Sequence, residues 1–225
     1  VKDIPLDSLS KKKWSEKSQK SKLKAFDIAS EILEAEAKRN LEESQKVSLN
    51  VSEYEKFCDT FKFTETPDQE RVIREVIADL LSDKPQDRLI CGEVGFGKTE
   101  VALRASFIVA QNDYQVCILA PTTVLAKQHF EVFKERFSEF PYRICLLTRE
   151  QTKTEKAEIY KKIKENHFSI IIGTHALFNK EISFKSLNLL IIDEEHKFGV
   201  RQKEQIRSLK NGINVISLSA TPIPR

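Results

Sequence analysis

Gly92-Glu93-Val94-Gly95-Phe96-Gly97-Lys98-Thr99 sets glycines, a lysine and a hydroxyl at the spacing G-x-x-x-x-G-K-T. Those residue types suit one task, the holding of a polyphosphate. Glycines let a backbone fold so that successive N–H groups face one concavity. A helix starting there adds the positive end of its dipole. From that position Lys98 reaches the β- and γ-phosphates, and the Thr99 hydroxyl is a ligand for Mg²⁺. A second constellation, Asp193-Glu194-Glu195-His196, follows the apolar run Leu189-Leu190-Ile191-Ile192. An acid at the tip of a buried strand is what a second ligand to a phosphate-bound metal requires, and Glu194 is placed to orient and deprotonate an attacking water. Ser219-Ala220-Thr221 closes a further apolar run. Short hydroxyl residues there are suited to hydrogen-bond the acidic loop and to sense a γ-phosphate.

Strand, loop and helix must stand in that order for the first motif to work. The run 87–91 reads as a buried strand and 100–111 as a helix. Upstream, Thr66-Pro67-Asp68-Gln69 is a helix start: Thr66 caps, Pro67 suits the first turn and Gln69 completes a capping box. Its helix carries Val72, Ile73, Val76, Ile77, Leu80 and Leu81 on one broad apolar face. Downstream, strand-like runs at 115–120, 143–148, 169–173, 187–192 and 214–218 alternate with helical patterns at 124–140, 153–166 and 201–210. Apolar strands separated by helices predict an α/β fold with a parallel sheet covered on both faces. Every motif above then falls at a carboxyl end of a strand, where ligands of such sheets bind.

Residues 1–45 read as a basic helical linker and 46–225 as the α/β domain. Positions 11–24 hold seven lysines against Glu16, with Trp14 among them. Two readings of that run stand, a segment lying on nucleic acid or an acidic partner, and a solvated helix face. From Leu23 onward Phe26, Ala29, Leu33 and Ala37 make one helical stripe. Residues 41–65 are mixed and end in Phe57, Phe61 and Phe63. The net charge of +3 is too small to argue a nucleic-acid partner from the whole chain. No apolar run reaches membrane-spanning length, and no signal peptide is visible. Cys58, Cys91, Cys117 and Cys145 form no C-x-x-C pair and read as reduced, buried residues of a cytosolic protein. The sequence has no methionine, which reads as a piece of a longer protein.

The three motifs, in this order, resemble motifs I, II and III of the superfamily 2 helicases and translocases. Pro121-Thr122-Thr123-x-Leu125-Ala126-x-Gln128-His129 resembles motif Ia, and Gly173-Thr174-His175 the next DNA-facing motif. Phe96 and the run Asp193 to Arg201 bring residues 66–225 nearest to the transcription-repair coupling factor (Mfd) family, with RecG as its near relative. The resemblance implies a RecA-like P-loop NTPase domain, the first lobe of an ATP-driven translocase on double-stranded DNA. Such a protein is bacterial and cytoplasmic, displaces stalled RNA polymerase and recruits excision-repair proteins. It implies an ATP and Mg²⁺ site at Lys98, Thr99, Asp193 and Glu194, with Gln69 reading the adenine edge and Phe61 or Phe63 beside the base. Thr122, Thr123, Gln128, Thr174, His175 and Arg149 would touch DNA phosphates, where hydroxyls and amides position without reading sequence. Ser219 and Thr221 would couple hydrolysis to DNA grip.

The chain stops where a second RecA-like domain would begin. That lobe supplies an arginine finger, so the lobe alone is expected to be nearly inactive. A RecG-like fork-remodelling helicase and a non-catalytic nucleotide-binding scaffold are the alternatives. A polymerase-binding domain upstream would separate the first, and an ATPase assay the second.

Overall fold

In the computed structural model, residues 45–210 and 212–220 are described, together with Gln19, Ser30 and Ala37, each in helical conformation. Two compact units divide the chain, Val1–Leu41 and Glu42–Arg225. Apart from Gln19, the basic run at 11–24, with the rest of the stripe from Leu23 and with Thr221, lies outside the described residues.

Six strands form one sheet: β1 (Asp87–Cys91), β2 (Gln115–Leu119), β3 (Ile144–Leu147), β4 (Ile170–Gly173), β5 (Leu187–Asp193) and β6 (Asn214–Ser219). Their order across it is β1-β6-β5-β2-β4-β3, and every pairing is parallel. The helices are α1 (Val51–Asp59), α2 (Pro67–Leu80), α3 (Lys98–Ala110), α4 (Thr123–Arg136), α5 (Lys153–Lys164) and α6 (Val200–Leu209).

Strand side chains alternate between two faces, and the core divides accordingly. Val116, Ile118, Ile170, Ile172, Leu189 and Ile191 point into a cluster with Phe57, Val76, Phe107 and Phe133, from helices α1 to α4. Cys117, Leu119, Ile171, Leu190 and Ile192 point the other way, onto Tyr160 and Ile163 of α5 and Ile206 of α6. Helices therefore cover both faces of a RecA-like α/β domain. α3 lies deepest, with all residues from Glu100 to Ala110 buried.

Four helix starts have a local cause in a capping side chain. Thr66 accepts from the Gln69 N–H while Gln69 reaches back to the Thr66 N–H, the expected capping box. Thr152 and Glu155 build a second one at α5. Asn50 caps α1, a helix that the mixed pattern of 41–65 does not predict. It buries only Phe57, which stacks on Phe107 at 4.2 Å. Such a pair contributes about 0.5–1.5 kcal/mol beyond the area it buries.

The cysteines need correction. All four are free, but only Cys117 and Cys145 are buried; Cys58 is half-buried and Cys91 exposed. Cys91 ends β1, an edge strand in which Ile90 alone is buried, so an apolar run there does not mean burial on both faces. Burial pushes the Cys117 thiol up to about 12, which keeps it a thiol.

Candidate nucleotide and nucleic-acid site

The phosphate loop leaves β1 and enters α3 within a few residues. Gly95 and Gly97 take φ of +90° and +74°. A Cβ on Gly97 would also lie 2.2 Å from Gln69 Nε2, so any other residue there is strained by its φ and must displace Gln69. Gly97 is the N-cap of α3 and offers no side chain to the first turn. Helices α1, α2, α4 and α5 are each capped by an Asn or Thr side chain. The N–H groups that open α3 are thus left for a ligand. The Lys98 ammonium donates to the carbonyls of Gly92 and Glu93. It lies against the loop backbone.

Gln69 joins this loop to α2. Its Oε1 accepts from the Thr66 N–H at 2.8 Å, and its Nε2 donates to the Phe96 carbonyl at 2.9 Å. Phe63 stands exposed beside Phe61, their rings edge to face at 5.6 Å, while Phe57 belongs to the core.

The end of β6 connects the loop to the acids. The Gly92 N–H donates to the Ser219 carbonyl at 3.1 Å, and the Glu194 N–H to the Leu218 carbonyl at 2.8 Å. Glu194 Oε1 in turn accepts from the Ala220 N–H at 3.0 Å. With neighbouring strands about 4.8 Å apart, β1 and β5 end roughly 10 Å from each other on one rim. Glu194 has φ +53° and ψ +58°, a conformation rare for a residue with a Cβ and of the kind found at functional sites. Its Oε2 is buried without a hydrogen bond, 3.2 Å from His196 Nδ1 but poorly aligned with it.

Asp193 Oδ2 meets His129 Nε2 at 2.9 Å, and both side chains are nearly buried. Sequence reasoning gave His129 no role. It lies on the inward face of α4, three residues after Ala126 and four before Phe133, both fully buried, and that spacing was the available signal. Two further groups were missed. The Ser217 hydroxyl donates to Glu195 Oε2 at 3.2 Å, so a hydroxyl within β6 reaches the acidic loop. Beneath the phosphate loop, Glu100 and Arg104 of α3 pair at 2.9 Å, Arg136 of α4 reaches Glu100 at 2.8 Å, and Arg104 also pairs with Glu65. Burial tends to lower the Arg104 pKa, but its hydrogen bond to Glu100 and neighbouring charges leave it raised.

The remaining sequence-predicted residues end the other strands. Thr122 follows β2, is exposed and caps α4; Thr123 is half-buried and Gln128 exposed. Arg149 follows β3 and His175 follows β4, both exposed. Thr174 is different: it is 2% exposed and its hydroxyl has no partner. Its side chain is therefore not on the exposed rim with the others; the preceding Gly173 has no room for a Cβ, which would lie 2.3 Å from the Leu147 carbonyl oxygen. The rim divides in two, with β1, β6 and β5 carrying the phosphate-type groups and β2, β4 and β3 the groups suited to a nucleic-acid backbone.

The comparisons with known proteins agree with this geometry. Residues 66–225 match the DEAD/DEAH box helicase family. This chain belongs to that family. It is similar to the transcription-repair-coupling factors of Escherichia coli (43% identical over 99% of the chain), Haemophilus influenzae (45% over 98%) and Bacillus subtilis (42% over 100%). In each case this helicase domain and its leader span 19% of the relative's length. Among solved structures, RecG bound to a three-way DNA junction superposes with a TM-score of 0.73 at 33% identity, over 84% of this chain and 25% of RecG. Dbp5 of S. cerevisiae shares the fold at a TM-score of 0.57 and 20% identity, over 76% of this chain and 46% of Dbp5. No helix among the described residues is long and apolar enough to cross a membrane.

Proposed function

We propose that this chain is the nucleotide-binding lobe of an ATP-driven translocase on double-stranded DNA, of the transcription-repair-coupling type. One observation carries the reading: the phosphate loop and the acidic tip hang from adjacent carbonyls, Ser219 and Leu218, at the end of β6. The open N–H groups of α3 and Lys98 hold the triphosphate. Mg²⁺ is typically held by one or two carboxylates, with water and substrate phosphate completing its shell. The donor set here is the Asp193 carboxylate and the Thr99 hydroxyl, and bound Mg²⁺ would neutralise charge on the phosphates. Glu194, held by Ala220, orients the attacking water and takes its proton. Gln69 reads the adenine edge with the amide N–H and lone pair it has left, and Phe63 flanks the base. Thr122, Thr123, Gln128, His175 and Arg149 contact the duplex backbone, with Thr174 supporting them from below, and Ser219 and Thr221 link the two halves.

In the whole protein this motor displaces stalled RNA polymerase and recruits excision-repair proteins, in the bacterial cytoplasm. RecG-like fork remodelling is the second reading, favoured by the superposition on RecG; similarity to the coupling factors over nearly the whole chain favours the first. Calorimetric titration with MgATP tests the site. Lys98→Ala is expected to weaken binding about 10- to 100-fold, the worth of a hydrogen bond to a charged group, with an unchanged circular dichroism spectrum. Equal affinity in the variant would remove the phosphate-loop assignment.

A further inference from the structure

We propose that His129 is a positioning residue: it fixes the Asp193 carboxylate for metal-nucleotide binding, and does so from the helix that carries the duplex-facing groups. The inference rests on the nucleotide reading above. An ionised aspartate only accepts hydrogen bonds, so His129 must donate from Nε2. That bond, 2.9 Å to Oδ2, fixes the plane of the carboxylate and leaves Oδ1 for a metal or its water. A lone carboxylate at a strand tip would otherwise turn about two side-chain torsions. The imidazole is itself well anchored. Ala126 and Phe133, on the same face of α4, are fully buried, and the helix start is pinned by the Thr122 cap. Outer partners of this kind matter because a ligand held in one orientation binds its metal without first being ordered.

The contact also crosses the division of the rim. Asp193 ends β5, the innermost strand of the phosphate half. His129 follows β2, the first strand of the other half. Its neighbour Gln128 faces outward on the same helix. A shift of α4 against the sheet would therefore be felt at Asp193.

The test uses the chain and three variants. His129→Gln keeps an N–H at similar reach, His129→Leu keeps bulk without a donor, and His129→Asn is polar but too short. The readouts are the Mg²⁺ concentration for half-maximal binding of a fluorescent ATP analogue, the affinity for that analogue in EDTA, and the melting temperature. His129→Leu and His129→Asn are expected to raise the Mg²⁺ midpoint roughly 10- to 100-fold with unchanged affinity in EDTA, and His129→Gln to stay near wild type. An unmoved midpoint in His129→Leu, or in His129→Asn should the leucine variant not fold, overturns the inference. So does equal impairment of Gln and Leu variants, which would mark a packing role. Wild-type binding that ignores both Mg²⁺ and Lys98→Ala would instead sink the nucleotide reading, and this inference with it.

Discussion

Gln69 shows how one side chain serves a local and a distant need. The local one, the bond to the Thr66 N–H, follows from the order Thr-Pro-Asp-Gln and was legible. The distant one, the bond to the Phe96 carbonyl, joins residues 27 apart and leaves no mark in the sequence. Gly97 sits under that amide. Gly97→Ala meets two penalties, a positive φ that costs about 1–2 kcal/mol for a residue with a Cβ, and the displacement of Gln69. The variant is expected to unfold at lower urea by at least the first amount. In the double variant Gly97→Ala/Gln69→Ala the clash is gone, so the two losses are expected to sum to less than additive. Strict additivity would mean that the loop and α2 are not in contact in solution. His129 belongs to the same class: its type and inward spacing were visible, but its partner is 64 residues away.

The elements were more legible than their contacts. Apolar runs separated by helical patterns give the strands, and capping residues give α2. α1 was lost because nine residues with one buried side chain make too weak a pattern. The quartet Glu65, Glu100, Arg104 and Arg136 was half visible, since Glu100 and Arg104 stand four apart in an otherwise apolar helix. Only the fold brings in Arg136, which also stacks on Phe57 at 4.6 Å. The quartet binds the segment before Gln69, the helix of the phosphate loop and α4 into one block. The Glu65 carboxyl is held below the usual range by its own backbone N–H and then by Arg104. A folded-state pKa below the unfolded one adds stability above the unfolded value, and loses it as pH falls through the folded one. Glu65→Gln is therefore expected to cost up to about 1.5–3 kcal/mol near neutral pH. The gap to wild type should begin to close as pH falls below the ordinary glutamate value of about 4.3, and close fully only below the lower folded-state value. A gap that does not vary with pH would show that the charge of Glu65 contributes nothing.

At the scale of the whole molecule, the sheet order is what a sequence withholds. The strands could be counted, but only coordinates show that β6 lies between the phosphate loop and the acids, and that the two kinds of rim group occupy separate halves. That layout has a consequence for turnover. In the proposed function, the rim would provide Lys98 for ground-state phosphate, Asp193 and Thr99 for metal, and Glu194 for the water. Phosphoryl transfer also needs positive charge delivered to the transition state, worth roughly 10³- to 10⁵-fold in rate when an arginine supplies it. The arginines paired in the quartet, Arg104 and Arg136, are engaged with Glu65 and Glu100 below the loop and are not free to deliver it. On the proposed reading that charge is supplied from outside this region, which makes up 19% of the length of the coupling-factor relatives. The chain alone is thus expected to bind MgATP yet hydrolyse it at about a thousandth of the full-length rate or less, with no stimulation by duplex DNA. A malachite-green phosphate assay on both proteins decides. Brisk, duplex-stimulated turnover by the isolated chain would place the whole catalytic apparatus on this one rim and overturn the two-lobe account.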